Sequence, residues 1–255
     1  MKSRRMNRII GALAALLLAP CVALAASGDM KLDRAPLDGN DVLSLQRGAR
    51  HFVNYCLNCH SANYMRYNRL TDLGLTEQQI LDNLVFTGGK VGDLMRTAMD
   101  PKDAKEWFGA QPPDLTVVAR SRSSHAGSGA DWLYTYLRGF YRDPARPTGW
   151  NNTVYPNVGM PHALWELQGE QVLKVETVQG PGYPVDVTKL ELARPGTLTP
   201  GDYDRMVADL VNYLDYMAEP ARASRTVIGI YVLGFLAFMW LLAYLLKKEF
   251  WKDVH

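Results

Sequence analysis

Two cysteines and a histidine fall within five residues: Cys56, Leu57, Asn58, Cys59, His60. Two thiols three positions apart can each form a thioether to one of the two vinyl groups on a porphyrin edge. The imidazole that follows then falls beneath the metal as its proximal ligand. That is the attachment pattern of c-type haem. A thiol–disulfide pair without haem would use the same two sulfurs. Zinc would need two further ligands of suitable spacing, and there is no second cysteine pair. The histidine directly after the second cysteine favours one covalently attached haem c.

A sixth iron ligand must come from elsewhere in the chain. The candidates are His125, His162 and the methionines Met65, Met95, Met99, Met160, Met206, Met217 and Met239. Met239 sits in a long apolar run, and Met206 and Met217 sit on a predicted helix where core packing is their expected role. Met65 is only five residues past His60, too close to reach the opposite face of a porphyrin easily. Met160 lies in NNTVYPNVGMPHAL (151–164), where Pro156, Gly159 and Pro161 predict a rigid extended loop. That loop favours Met160 over Met95 and Met99, with His162 and His125 as bis-histidine options. A thioether raises the potential and a second imidazole lowers it. A filled sixth position points to electron transfer, whereas a haem peroxidase would need an open one.

The elements that must hold these groups are helical in pattern. Leu45, Ala49, Phe52 and Val53 repeat at helical spacing behind Asp41, a suitable N-cap, so a helix delivers its end to the motif. Thr76 and Gln79 form a capping-box pattern that opens a helix to about Phe86, with Gly88 and Gly89 ending it. Residues from Gly88 to Gln111 read as a loop region. Trp132 to Tyr141 reads as a helix. Val172–Val178 and Val185–Leu192 alternate on either side of a Gly/Pro-rich turn, predicting a two-stranded hairpin. Thr199 and Pro200 start a helix with the apolar stripe Met206, Val207, Leu210, Val211, Leu214, ending near Ala218. This last helix is expected to pack across the helix that precedes the haem motif.

Both ends of the chain speak to a membrane. A basic start (Lys2, Arg4, Arg5, Arg8), a short apolar run and small residues in Ala-x-Ala spacing (Ala23, Ala25) predict a cleaved signal peptide over residues 1–26. Cys21, which follows Pro20, is a poor lipoprotein site and leaves with it. Residues 226–246 carry no charge and form a helix about 31 Å long, enough to span a bilayer. Residues 27–225 are then a periplasmic haem domain and 247–255 a cytoplasmic tail, on a single-pass protein of the bacterial inner membrane. The 255 residues are 47% hydrophobic with a formal charge of +2 from 28 basic and 26 acidic side chains, too apolar for a disordered chain and too balanced for a nucleic-acid binder. With the basic ends set aside, the body is mildly acidic.

The order of features resembles the cytochrome c1 family, the membrane-anchored haem subunit of cytochrome bc1 complexes. The pieces that carry the resemblance are the haem motif, QPPDLTVVARSR (111–122), DWLYTYLRGFY (131–141), GMPHAL (159–164) and the C-terminal span. The resemblance implies a mainly α fold: a helical c-type haem domain with long loops and a small β-hairpin, plus one transmembrane helix. It implies that Cys56 and Cys59 hold the haem, that His60 and Met160 ligate iron, that Arg120 pairs with a haem propionate, and that Pro112 and Pro113 line the crevice. It also implies an electron carrier within a dimeric complex, with cytochrome b and a Rieske iron–sulfur protein as partners and a c-type cytochrome as acceptor. The rival assignments are a membrane-anchored cytochrome c of another oxidase or dehydrogenase, and a tethered thiol–disulfide protein.

Overall fold

The computed structural model describes residues 31–86, 89–179 and 184–253. The expected signal peptide and Gly88 lie outside the described residues. Helix α1, Val42–His51, starts where the Asp41 carboxylate accepts the Ser44 amide at 3.0 Å. It buries Leu45, Gly48 and Ala49. The helix does not run unchanged into the haem motif. Its last turn widens into a π segment over Phe52–Cys56, with the Leu57 amide donating to the Phe52 carbonyl at 2.9 Å. Such a bulge re-aims the residues that follow it. Strand β1, Ala62–Arg66, then pairs antiparallel with β2, Leu94–Met95, across a 3-10 segment Tyr67–Leu73 and helix α2, Glu77–Leu84. The Thr76–Gln79 capping box of α2 is present as expected.

Three readings from the sequence are corrected. The expected loop from Gly88 to Gln111 contains β2 and a helix α3, Pro101–Phe108, which Asp100 caps at 2.7 Å through the Lys102 amide. Helix α4, Val118–Ser121, is followed by α5, Gly129–Arg138, and not by a helix over Trp132–Tyr141. Ser128 and Asp131 cap α5 reciprocally three residues earlier than expected. Gly139 ends it, so that Phe140–Arg142 becomes strand β3, paired with β4, Trp150–Asn152. The hairpin is longer than its alternation suggested. After a short helix α6, Trp165–Gln168, strands β5, Gly169–Gln179, and β6, Pro184–Pro195, pair from Gly169 opposite Pro195 onward.

Helix α7, Pro200–Ala218, buries Met206, Val207, Leu210, Val211 and Leu214 as its pattern predicts, and it packs on α1. Side chains of this size contribute about 1.5–3 kcal/mol each when fully buried. The two helices cross at Gly48, where a Cβ would stand 2.1 Å from the Asp209 carbonyl oxygen. Arg47 closes one flank of the crossing on Asp209 at 2.6 Å. Asn212 closes the other, donating to the Asp38 carbonyl at 2.8 Å and to Ser44 Oγ at 3.0 Å. Helix α8, Arg222–Phe250, includes the 27 residues Ser224–Phe250, whose most apolar 18 residues have a mean hydropathy of 2.2 and are left uncovered by the rest of the chain. Those 27 residues are about 40 Å long, so the apolar helix exceeds the charge-free core at residues 226–246.

Candidate haem centre

The π segment ends at Cys56, and the chain folds back so that the Cys59 and His60 amides both donate to the Cys56 carbonyl, at 3.1 and 2.8 Å. This tight turn puts two free, half-buried thiols and a buried imidazole on one wall. Burial pushes the Cys56 thiol up to about 12, with the neighbouring Cys59 adding to the effect; burial raises Cys59 as well. A disulfide-exchange cysteine needs the opposite shift, toward thiolate. The thiol–disulfide reading therefore has no support here.

His60 Nδ1 lies 2.8 Å from the Pro113 carbonyl oxygen. A carbonyl only accepts, so Nδ1 carries the proton and Nε2 is left with its lone pair, the form a metal requires. Burial holds the imidazole below its ordinary value, partly opposed by the Pro113 hydrogen bond and by Asp114. The Pro112–Pro113 segment is itself fixed by Asp114, whose carboxylate accepts the Asn63 amide at 2.7 Å and the Thr116 amide at 2.9 Å. The Leu115 amide adds a bond to the Ser61 carbonyl at 2.9 Å. Asp114 was not singled out in the sequence, although it stands in the same run.

These groups open onto a cavity of about 380 Å3. Cys56, Cys59, His60, Pro112, Pro113 and Met160 all line it, with a largely apolar remainder that includes Leu133, Leu137, Leu210 and Leu214. Met160 arrives on a loop pinned by two asparagines. Asn152 Oδ1 accepts the Val154 and Tyr155 amides at 2.8 and 3.2 Å, and Asn151 Oδ1 accepts the Asn157 amide at 2.8 Å. The other ligand candidates do not reach this cavity. Met95 is buried beside the Tyr213 hydroxyl, Met65 is buried in the core, Met99 lines a small neighbouring pocket, and His125 is exposed. His162 stacks on Phe140 with ring centroids 4.7 Å apart and meets Trp150 edge-on at 5.0 Å, off the cavity wall.

Arg120 is exposed and does not line the cavity. Arg122 does, with its guanidinium 4.6 Å above the Trp132 ring. Tyr136 also lines the cavity and directs its hydroxyl to Met160 Sδ at 3.4 Å. Neither Arg122 nor Tyr136 was singled out. The available signal was the i, i+4 spacing of Trp132, Tyr136 and Phe140. Burial raises the Tyr136 hydroxyl above its ordinary value, with Arg122 acting weakly against it, so it remains a donor.

The donor set fits an iron porphyrin. An apolar cavity holds one imidazole with a free lone pair, one thioether, two thiols and one cation. Among the described residues no three His, Cys, Asp or Glu side chains converge as a metal cage. Fold and cavity together define a c-type haem domain tethered by one apolar helix. The Cytochrome C1 family model matches residues 33–176 and 191–254. The chain is 52% identical over 243 residues to a protein of Nitrosomonas europaea named ammonia monooxygenase gamma subunit, covering 95% of this chain and 97% of that one. It is 51% identical over 241 residues to cytochrome c1 of Allochromatium vinosum, covering 94% and 96%. To cytochrome c1 of Rhodospirillum rubrum it is 28% identical over 235 residues, covering 84% and 83%. The chain belongs to the cytochrome c1 family, whose members carry one covalently bound haem c. Among the described residues one helix is long and apolar enough to cross a membrane, which fits a membrane-anchored protein.

Proposed function

We propose that this chain is the cytochrome c1 subunit of a quinol:cytochrome c oxidoreductase (bc1) complex, taking electrons from a Rieske iron–sulfur protein and passing them to a c-type cytochrome. Cytochrome b is its membrane partner, and the complex is dimeric. Residues 1–26 are removed on export, 27–225 stand on the periplasmic side of the bacterial inner membrane, 226–246 span it and 247–255 face the cytoplasm. The haem supplies a one-electron iron couple.

The residues of this chain supply the rest. Cys56 and Cys59 would hold the haem by thioethers, and His60 and Met160 would ligate its iron. Pro112 and Pro113 close the crevice edge, and the Pro113 carbonyl fixes the His60 ring. Arg122 would pair with a haem propionate, the role the family resemblance gives to Arg120, which is exposed. The apolar lining excludes water, so little solvent must reorganise when charge changes.

One observation carries this reading: the cavity that His60 opens onto takes a single one of the downstream methionines, Met160. Met160→Leu should leave the haem covalently attached and lower its midpoint potential; an unchanged potential would remove Met160 as ligand. The 52% identity to the Nitrosomonas europaea protein favours a second assembly, the same haem chain within a monooxygenase complex. Copurification separates the two. A multi-span cytochrome b and a Rieske protein support the first, and a monooxygenase partner supports the second.

A further inference from the structure

We propose that Tyr136 tunes the potential of the bound iron by donating its hydroxyl proton to the Met160 sulfur. The inference rests on Met160 being an iron ligand, as read above. A thioether sulfur has two lone pairs, so it can give one to a metal and accept a hydrogen bond on the other. The Tyr136 hydroxyl stands 3.4 Å from Met160 Sδ, within reach for a sulfur acceptor.

The hydroxyl is held there from three sides. Trp132 stacks on the Tyr136 ring at 4.7 Å and 13°, and Phe140 meets it edge-on at 5.0 Å and 67°. The Tyr136 carbonyl accepts Asn152 Nδ2 at 2.8 Å, and Asn152 Oδ1 in turn holds the amides that begin the Met160 loop. One asparagine therefore couples the position of the donor to that of the acceptor. The hydrogen bond draws electron density from the sulfur and so disfavours the oxidised, more positive metal. The residue acts through Met160 and never on the iron directly; it is a positioning residue that raises the potential.

The test is Tyr136→Phe in the full-length, haem-loaded protein in its own membrane. Phenylalanine keeps the ring and its packing and removes only the donor. The absorption signature of a thioether-ligated ferric haem is expected to stay. At a fixed poise the ratio of reduced to oxidised haem should fall by up to about tenfold, a downward shift of about 59 mV for one electron. Trp132→Phe, which alters the packing and leaves the hydroxyl, should shift it less. An unchanged midpoint in Tyr136→Phe with the signature intact overturns the proposal, as does an equal shift in the two variants. If Met160→Leu retains the thioether signature, the ligand assignment itself has failed, and this proposal with it.

Discussion

His60 and Pro113 are 53 positions apart, yet one hydrogen bond between them decides which imidazole nitrogen faces the metal. The histidine was legible in the sequence because its residue type and spacing carry the chemistry. The carbonyl that orients it was not, since every residue has one and only the fold selects Pro113. The two arginines make the same point. Arg120 and Arg122 lie two positions apart on one turn of backbone, which sends them about 200° apart, and residue type cannot say which one faces inward. His162 carries a prediction at this scale. Burial pushes it down to about 4, with Gln168 opposing the shift and Arg142 reinforcing it. Its unfolded value is near 6.5, so between about 6.5 and 4 the unfolded chain binds the extra proton. Stability is therefore full above about pH 6.5 and lost as pH falls toward 4, by up to about 3 kcal/mol. In His162→Phe, denaturant midpoints measured across that range should lose most of this acid slope; an unchanged slope would assign it to other groups.

A cap makes an element legible in the sequence. Asp41, the Thr76–Gln79 pair and Thr199–Pro200 each open a helix where expected. Asp100–Pro101 is the same kind of signal and opens α3, but eight residues inside a glycine-bounded stretch do not build a clear periodicity. Helix α5 begins three residues before its apolar pattern does, because its cap at Ser128 stands in a run of small polar residues with no apolar repeat of its own. The distal half of the hairpin lies in the stretch between residues 176 and 191 that the family model does not match. Gly48 shows how tightly the elements set the site. The α1–α7 crossing fixes the end of α1, and the π segment Phe52–Cys56 that follows carries the chain into the haem motif. Gly48→Ala places a methyl group against the Asp209 backbone, which cannot rotate away. We expect a loss of about 1–3 kcal/mol in denaturant unfolding, together with a lower yield of haem-loaded protein. Unfolding at the wild-type midpoint would show that the crossing relaxes freely.

Among the described residues, a helical haem domain is joined to one long apolar helix by a short link. Arg222 pairs with Asp215 at 2.6 Å and Arg225 pairs with Glu219, so the first turn of α8 is tied to the last turn of α7. The same α7 carries Leu210 and Leu214 into the cavity wall, and thus a single helix connects the anchor to the haem crevice. Exposed ion pairs of this kind are worth little in stability. The apolar run and its length were plain in the sequence, because a bilayer demands composition and not a particular partner. The cavity was not, because its lining is gathered from segments up to 159 positions apart, from Tyr55 to Leu214. What the whole account requires is iron porphyrin bonded to Cys56 and Cys59. Acid–organic extraction of the purified full-length chain, followed by a pyridine haemochrome spectrum of the protein fraction, tests that directly. One haem per chain should remain with the protein through both thioethers; haem that passes into the solvent, or none at all, would show that no covalent attachment exists.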